Sequence, residues 1–257
     1  QWGLFGMSCI SALASFTVVV CCVACQELRQ FPFNRVAVIS LLFTVISLAQ
    51  ASRLVLGQIG LIEDPMACMV AGHVWVAASL ALGGTLAVSG IASIVTVAMP
   101  LSRFEGCADG PICIPNFLTF TALSILLPTL MSVVQGVALD REFWPTPLHC
   151  TMHSLRWQQL LFDLPMGGCL VVALFTSLCT MLFPPIPPPS FPGPHKRSRE
   201  WTLVRFQPVI LAAVCVWFPT AVLQALIAVD QPGSYVFFLN AETLALGVGG
   251  ALVAAVA

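Results

Sequence analysis

Charge is what this chain has least of. Only 8% of its residues are Asp, Glu, Lys or Arg while 58% are hydrophobic, against roughly a quarter charged in an ordinary water-soluble domain. Water is therefore not its main solvent. The few charges nearly cancel, to a formal net charge of −1, which supplies neither a basic surface for nucleic acid nor a polybasic patch for an anionic membrane surface. The only lysine, Lys196, stands in a polar stretch. A retinal protein forms its Schiff base on a lysine of the last helix, so that class is excluded. His-Glu-x-x-His, Gly-x-Ser-x-Gly and paired aspartates inside apolar runs are also missing, which leaves intramembrane hydrolysis without its reagents. No enzymatic activity, metal or cofactor is expected. No internal repeat is visible, which argues against an inverted-repeat transporter.

What is present is a set of long apolar runs: Gly3 to Cys25, Val36 to Ile59, Cys68 to Met99, Ile114 to Ala138, Trp157 to Phe183, Phe206 to Val229 and Val236 to Ala257. Each has the roughly 20 residues that cross about 30 Å of hydrocarbon as a helix. The runs are continuous rather than alternating, which disfavours a β-barrel. The expected fold is all-α: a polytopic membrane protein, one seven-transmembrane-helix bundle over residues 1–257. In the third run Gly83-Gly84 could divide the span into two half-helices, but no polar turn residues flank the pair and neither half would reach across, so one long tilted helix is expected. The chain begins without Met and ends inside an apolar run, and a longer protein with its own C-terminal tail is expected.

Basic residues set the orientation. With the N-terminus outside, the inner connections carry Arg29, Arg35, Arg103, Lys196, Arg197, Arg199 and Arg205, and the outer ones only Arg141 and Arg156. The positive-inside rule then places the N-terminus outside and the C-terminus in the cytoplasm. This sorts the cysteines. Cys68 and Cys150 fall outside, where a disulfide forms and persists, and would tie the loop before the fifth helix to the top of the third. Cys107 and Cys113 fall inside and should stay reduced. Cys9, Cys169, Cys179 and Cys215 lie within spans as small apolar fillers. Cys21, Cys22 and Cys25 cluster at the inner end of the first helix, where packing and S-acylation are both open.

Two connections have character. Residues 183–201 are rich in proline and then basic, a stiff spacer or a partner-facing inner loop. Asp140 to Arg156 holds Trp144, His149 and His153 beside Cys150 and would cover the outer mouth. Within the spans, Arg53, His73, Asp163 and Glu242 stand out because a charge in hydrocarbon is costly. Arg53 either pairs with Glu242 or Asp163 or snorkels to the interface. His73 and Trp75, near the outer end of the third span, line a pocket or simply pack.

Short motifs carry a resemblance. Leu126-Leu-Pro-Thr-Leu-Met-Ser-Val-Val-Gln-Gly136 before Cys150, Asp64 to Cys68 before a helix rich in small residues, Trp201-Thr-Leu-Val-Arg-Phe206 leading to Trp217-Phe-Pro219, and Asn34 before the second span resemble fungal mating-pheromone receptors of the a-factor, lipopeptide class. Cys215-Val-Trp-Phe-Pro219 is also similar to the Cys-Trp-x-Pro of rhodopsin-like receptors with one residue inserted. The likeness is divergent: Val137-Ala-Leu139 stands where the pheromone-receptor family has His-Arg-Phe. It implies a G-protein-coupled receptor in the plasma membrane that binds a peptide, farnesylated in that family, and passes the signal to a heterotrimeric G protein. On that reading His73, Trp75, Trp144 and His149 line the ligand entrance, Arg103, Arg199 and Arg205 face the G protein, and Pro219 with Trp217 forms a hinge. Another seven-helix receptor, a transporter or a structural membrane protein are the alternatives.

Overall fold

A computed structural model describes residues 2–25, 33–58, 65–98, 143–145, 150–152, 162–182 and 207–217, together with helical positions 122, 126 and 130. The described part is built from helices α1 (Trp2–Ala24), α2 (Phe33–Gln58) and α3 (Pro65–Ala98), a hairpin of β1 (Phe143–Pro145) and β2 (Cys150–Met152), helix α4 (Leu164–Leu182) and the shorter α5 (Gln207–Trp217). Four of these helices, α1 to α4, are long and apolar enough to cross a membrane. In length and composition this is a helical, multi-pass membrane protein. The fourth expected span is represented by Ala122, Leu126 and Leu130, helical and exposed. The seventh lies outside the described residues.

Proline punctuates the helix starts. Pro65 opens α3 and Pro165 is the second residue of α4, positions where the missing N–H costs nothing and the fixed φ favours the first turn; in the sequence Pro32 stands just before α2. Pro100 follows α3 and Pro184 follows α4. As expected, α3 is one helix through Gly83-Gly84; its 34 residues span about 51 Å, more than the hydrocarbon core requires. Of the fifth expected span, α4 is described from Leu164, after a wider helical turn at Phe162 and Asp163, and residues 157–161 lie outside the described residues. Arg35, counted above among the inner-connection cations, sits inside α2 and is buried, its Nη1 donating to the Ser89 carbonyl of α3 at 3.3 Å. The helix simply begins three residues earlier than the apolar run.

α3 is the centre. It packs against α2, α4 and both strands, while α2 packs against α1. One apolar core joins Ile39, Phe43 and Ile46 of α2, Trp75, Leu82 and Leu86 of α3, Met166 and Leu170 of α4, and Ile210 and Trp217 of α5. Large side chains also point outward: Ile10, Leu13 and Phe16 on α1, Val171 and Phe175 on α4. A bundle in lipid needs no polar exterior.

The interior carries many hydroxyls, and several are satisfied within their own helix. Ser15 donates to the Ser11 carbonyl (2.9 Å), Thr44 to Ser40 (2.9 Å), Thr85 to Ala81 (2.7 Å), Ser93 to Ser89 (2.9 Å) and Thr180 to Thr176 (2.8 Å). This i−4 bonding lets a hydroxyl enter an apolar interior without an orphaned proton. Between α1 and α2 the seam is made of small residues, Ser8, Ser11, Ala12 and Ser15, and Ser47 Oγ donates across it to Ser11 Oγ at 3.2 Å. Small side chains let the backbones approach closely, the main source of helix association in lipid.

Candidate functional site

At the end of the bundle where α2 finishes and α4 begins, side chains from four helices meet. Arg53 is on α2, Trp75 on α3, Phe162 in the turn entering α4 and Trp217 at the end of the described part of α5; all are at most 5% exposed. The Arg53 guanidinium lies over the Trp75 ring, 4.7 Å from its centroid, where the ring quadrupole attracts the cation. Its Nη1 donates to Gln50 Oε1 at 3.1 Å, one turn back on the same helix. Trp75 packs in turn on Phe162 at 4.9 Å and on Trp217 at 6.4 Å, both tilted by 39°, within the range of favourable aromatic pairs. One indole thus links three other segments. Its own Nε1 is buried with no hydrogen-bond partner among the described residues.

The site gathers several residues singled out in the sequence. Trp75 and Trp217, read separately as ligand contact and hinge, touch. Arg53 does not snorkel: it is held in the interior by Gln50 and Trp75, and the planar guanidinium is what allows both contacts at once. Asp163 follows Phe162 at the same end of α4 and is half-buried. His73 is half-buried and two residues from Trp75, about 200° around α3, so the two occupy different faces. Phe162 and Gln50 are the members that sequence reasoning missed. Phe162 reads as one more apolar residue in Leu160-Leu-Phe-Asp163; its signal was an aromatic beside a charge at the mouth of a span. Gln50 stood three residues before an intramembrane arginine, the i, i+3 spacing that places both on one face.

The loop expected over this mouth contains the unforeseen hairpin. β1 and β2 pair antiparallel with Phe143 opposite Met152, Trp144 opposite Thr151 and Pro145 opposite Cys150, and β2 packs on α3 and α2. Pro145 is tolerated because it ends its strand. Cys68 lies in the first turn of α3, Cys150 opens β2 and Trp144 is central in β1; the side chains of these three lie outside the described residues. The described cysteines, Cys9, Cys21, Cys22, Cys25, Cys169, Cys179 and Cys215, are all free, so no disulfide occurs among them. Cys215, expected as an apolar filler, is exposed instead: it follows Val214 on the far side of a helix whose buried face is Ile210, Ala213, Val214 and Trp217. His149, Arg103, Arg199, Arg205, Pro219 and Glu242 lie outside the described residues.

At the opposite end the polar groups differ. Arg35 and Ser89 are joined as described, Thr176, Ser177 and Thr180 lie on the buried face of α4, and Gln207 at the start of α5 is fully buried with neither amide atom bonded among the described residues. Among the described residues, no group of three or more His, Cys, Asp and Glu has the arrangement to hold a metal ion. No protein-family model and no curated protein matches this chain.

Proposed function

We propose that this protein is a seven-helix receptor of the plasma membrane, N-terminus outside, that binds an external ligand at the Trp75 end of the bundle and activates a heterotrimeric G protein inside. The observation that carries the reading is the Arg53–Trp75–Phe162–Trp217 cluster. A single buried indole in contact with three other segments makes their relative positions interdependent, and a ligand that favours one arrangement of that cluster shifts the population of the whole bundle. No covalent chemistry is needed. The hairpin packed on α2 and α3 supports a capped outer mouth. Bridging Cys68 to Cys150 would anchor the cap, with Trp144 and His149 at its entrance and His73 beside it. On the inner side Arg103, Arg199 and Arg205 would meet the G protein, and Pro219 with Trp217 would serve as a hinge. The short motifs favour a lipidated peptide of the a-factor class as ligand.

The experiment is a G-protein reporter assay on the full-length protein challenged with farnesylated and unmodified peptides. A graded response that Trp75→Ala abolishes at unchanged surface expression supports the reading. Silence to both peptide classes from a correctly folded, surface-expressed protein counts against it. A second reading, a transporter of a small polar solute, draws on the buried side-chain polar groups of Ser79, Ser89, Ser177 and Gln207 that have no partner among the described residues. Solute counterflow in proteoliposomes would favour it.

A further inference from the structure

The end of α1 carries three cysteines within five positions, and the structure separates them. Cys22 is buried toward α2, on the face that also holds Ser8, Ser11, Ala12 and Ser15. Cys21 and Cys25 are exposed. The Cys25 amide donates to the Cys21 carbonyl at 2.9 Å, so the helical turn continues through Cys25 and the two thiols stack one turn apart on one side. That side extends the outward face of the span: Ile10, Leu13, Thr17 and Val20 are all exposed, and Thr17 donates its hydroxyl to the Leu13 carbonyl at 2.8 Å, which removes its polarity from the surface. A Cβ added at Gly3 or Gly6, further along the same helix, would meet nothing within 4 Å. Two free thiols therefore stand at the membrane-boundary end of an apolar, unobstructed helix face.

The geometry points to Cys21 and Cys25 as a paired S-acylation site whose long acyl chains lie along the outer face of α1, with Cys22 serving packing alone. The site rests on the proposed orientation, which puts this end of α1 at the cytoplasmic surface where long-chain acyl-CoA is present. In the transfer the cysteine sulfur attacks the thioester carbonyl of the acyl-CoA. A carbon–sulfur bond to cysteine forms, the bond to CoA breaks, and CoA leaves as the thiol with the proton that the cysteine gave up. No oxidant is involved. Acylated, the end of α1 is held at the interface by chains that share the solvent of its own lipid-facing residues.

The test uses the full-length protein expressed in eukaryotic cells. Free thiols are blocked, thioesters are cleaved with neutral hydroxylamine, and the released thiols are tagged with a maleimide polymer that shifts gel mobility. The expected result is a hydroxylamine-dependent shift that Cys21→Ser/Cys25→Ser removes and Cys22→Ser leaves intact, with all variants at equal surface expression. No hydroxylamine-dependent shift, or one that survives the double substitution, overturns the site. Labelling of Lys196 by an impermeant amine reagent on the same sealed cells separates the two failures. A protected Lys196 without acylation overturns the acylation alone, whereas a labelled Lys196 overturns the orientation on which it rests.

Discussion

Polar side chains enter this interior on two different terms, and their substitution should separate them. A hydroxyl bonded to its own helix, such as Thr44 to the Ser40 carbonyl, takes its partner from a backbone oxygen that already accepts a helical bond. Thr44→Val should therefore change stability by no more than about 1 kcal/mol. The Arg53 cluster is different, because its contacts cross between helices. Trp75→Ala removes the surface on which Arg53, Phe162 and Trp217 all rest and should cost about 3–5 kcal/mol. Arg53→Lys keeps the charge but loses the flat face and the fork that reaches Gln50, for about 1–3 kcal/mol. Unfolding of the purified protein in mixed micelles gives all three values. A Trp75→Ala variant as stable as Thr44→Val would mean that the indole does not join the helices.

At the level of elements, contact between α3 and α4 depends on two glycines seven residues apart. A Cβ added at Gly90 would fall onto Thr176 Oγ1, with Thr176 Cβ at 3.1 Å, and one at Gly83 would meet Met166 Sδ at 2.6 Å and Cys169 Cβ at 3.3 Å. The two sites differ in what can give way. Thr176 is β-branched and its hydroxyl donates to the Val172 carbonyl at 2.7 Å, so Gly90→Ala must part the helices, at about 1–3 kcal/mol. Met166 is flexible, so Gly83→Ala should cost less. Combining Gly90→Ala with Thr176→Gly should recover part of the loss, a coupling that the double-mutant cycle reads directly. Additive effects would show that the clash at Thr176 is not the cause. Gly6→Ala, facing open space on α1, should be neutral or slightly stabilising.

The whole molecule is where orientation and the outer cap are tested. Lys196 should resist an impermeant amine reagent in intact cells and react after permeabilisation, as the distribution of arginines predicts; labelling of sealed cells would invert the bundle. Cys68 and Cys150 should resist alkylation until a reductant is added, since β2 packs on α3 and exposed thiols outside the cell seldom stay unpaired. Full alkylation of both without reductant would remove the cap's anchor and weaken the receptor reading.

Composition alone determined that this chain is helical and belongs in a membrane, because a backbone in hydrocarbon must satisfy its own N–H and C=O groups and long apolar runs do so only as helices. The runs also placed α1, α2 and α3 to within three residues at each end and kept α3 whole. They could not say which side of a helix faces its neighbours. In lipid both sides are apolar, so no hydrophobic stripe marks the interior as it does in water. Only the tertiary structure decided that Arg53 turns inward onto Trp75 rather than snorkelling, that Phe162 and Trp217 close on the same indole, and that Cys22 packs while Cys21 and Cys25 stay exposed. Those choices rest on steric fit between helices far apart in the chain, at glycines and serines whose value lies in how little space they take.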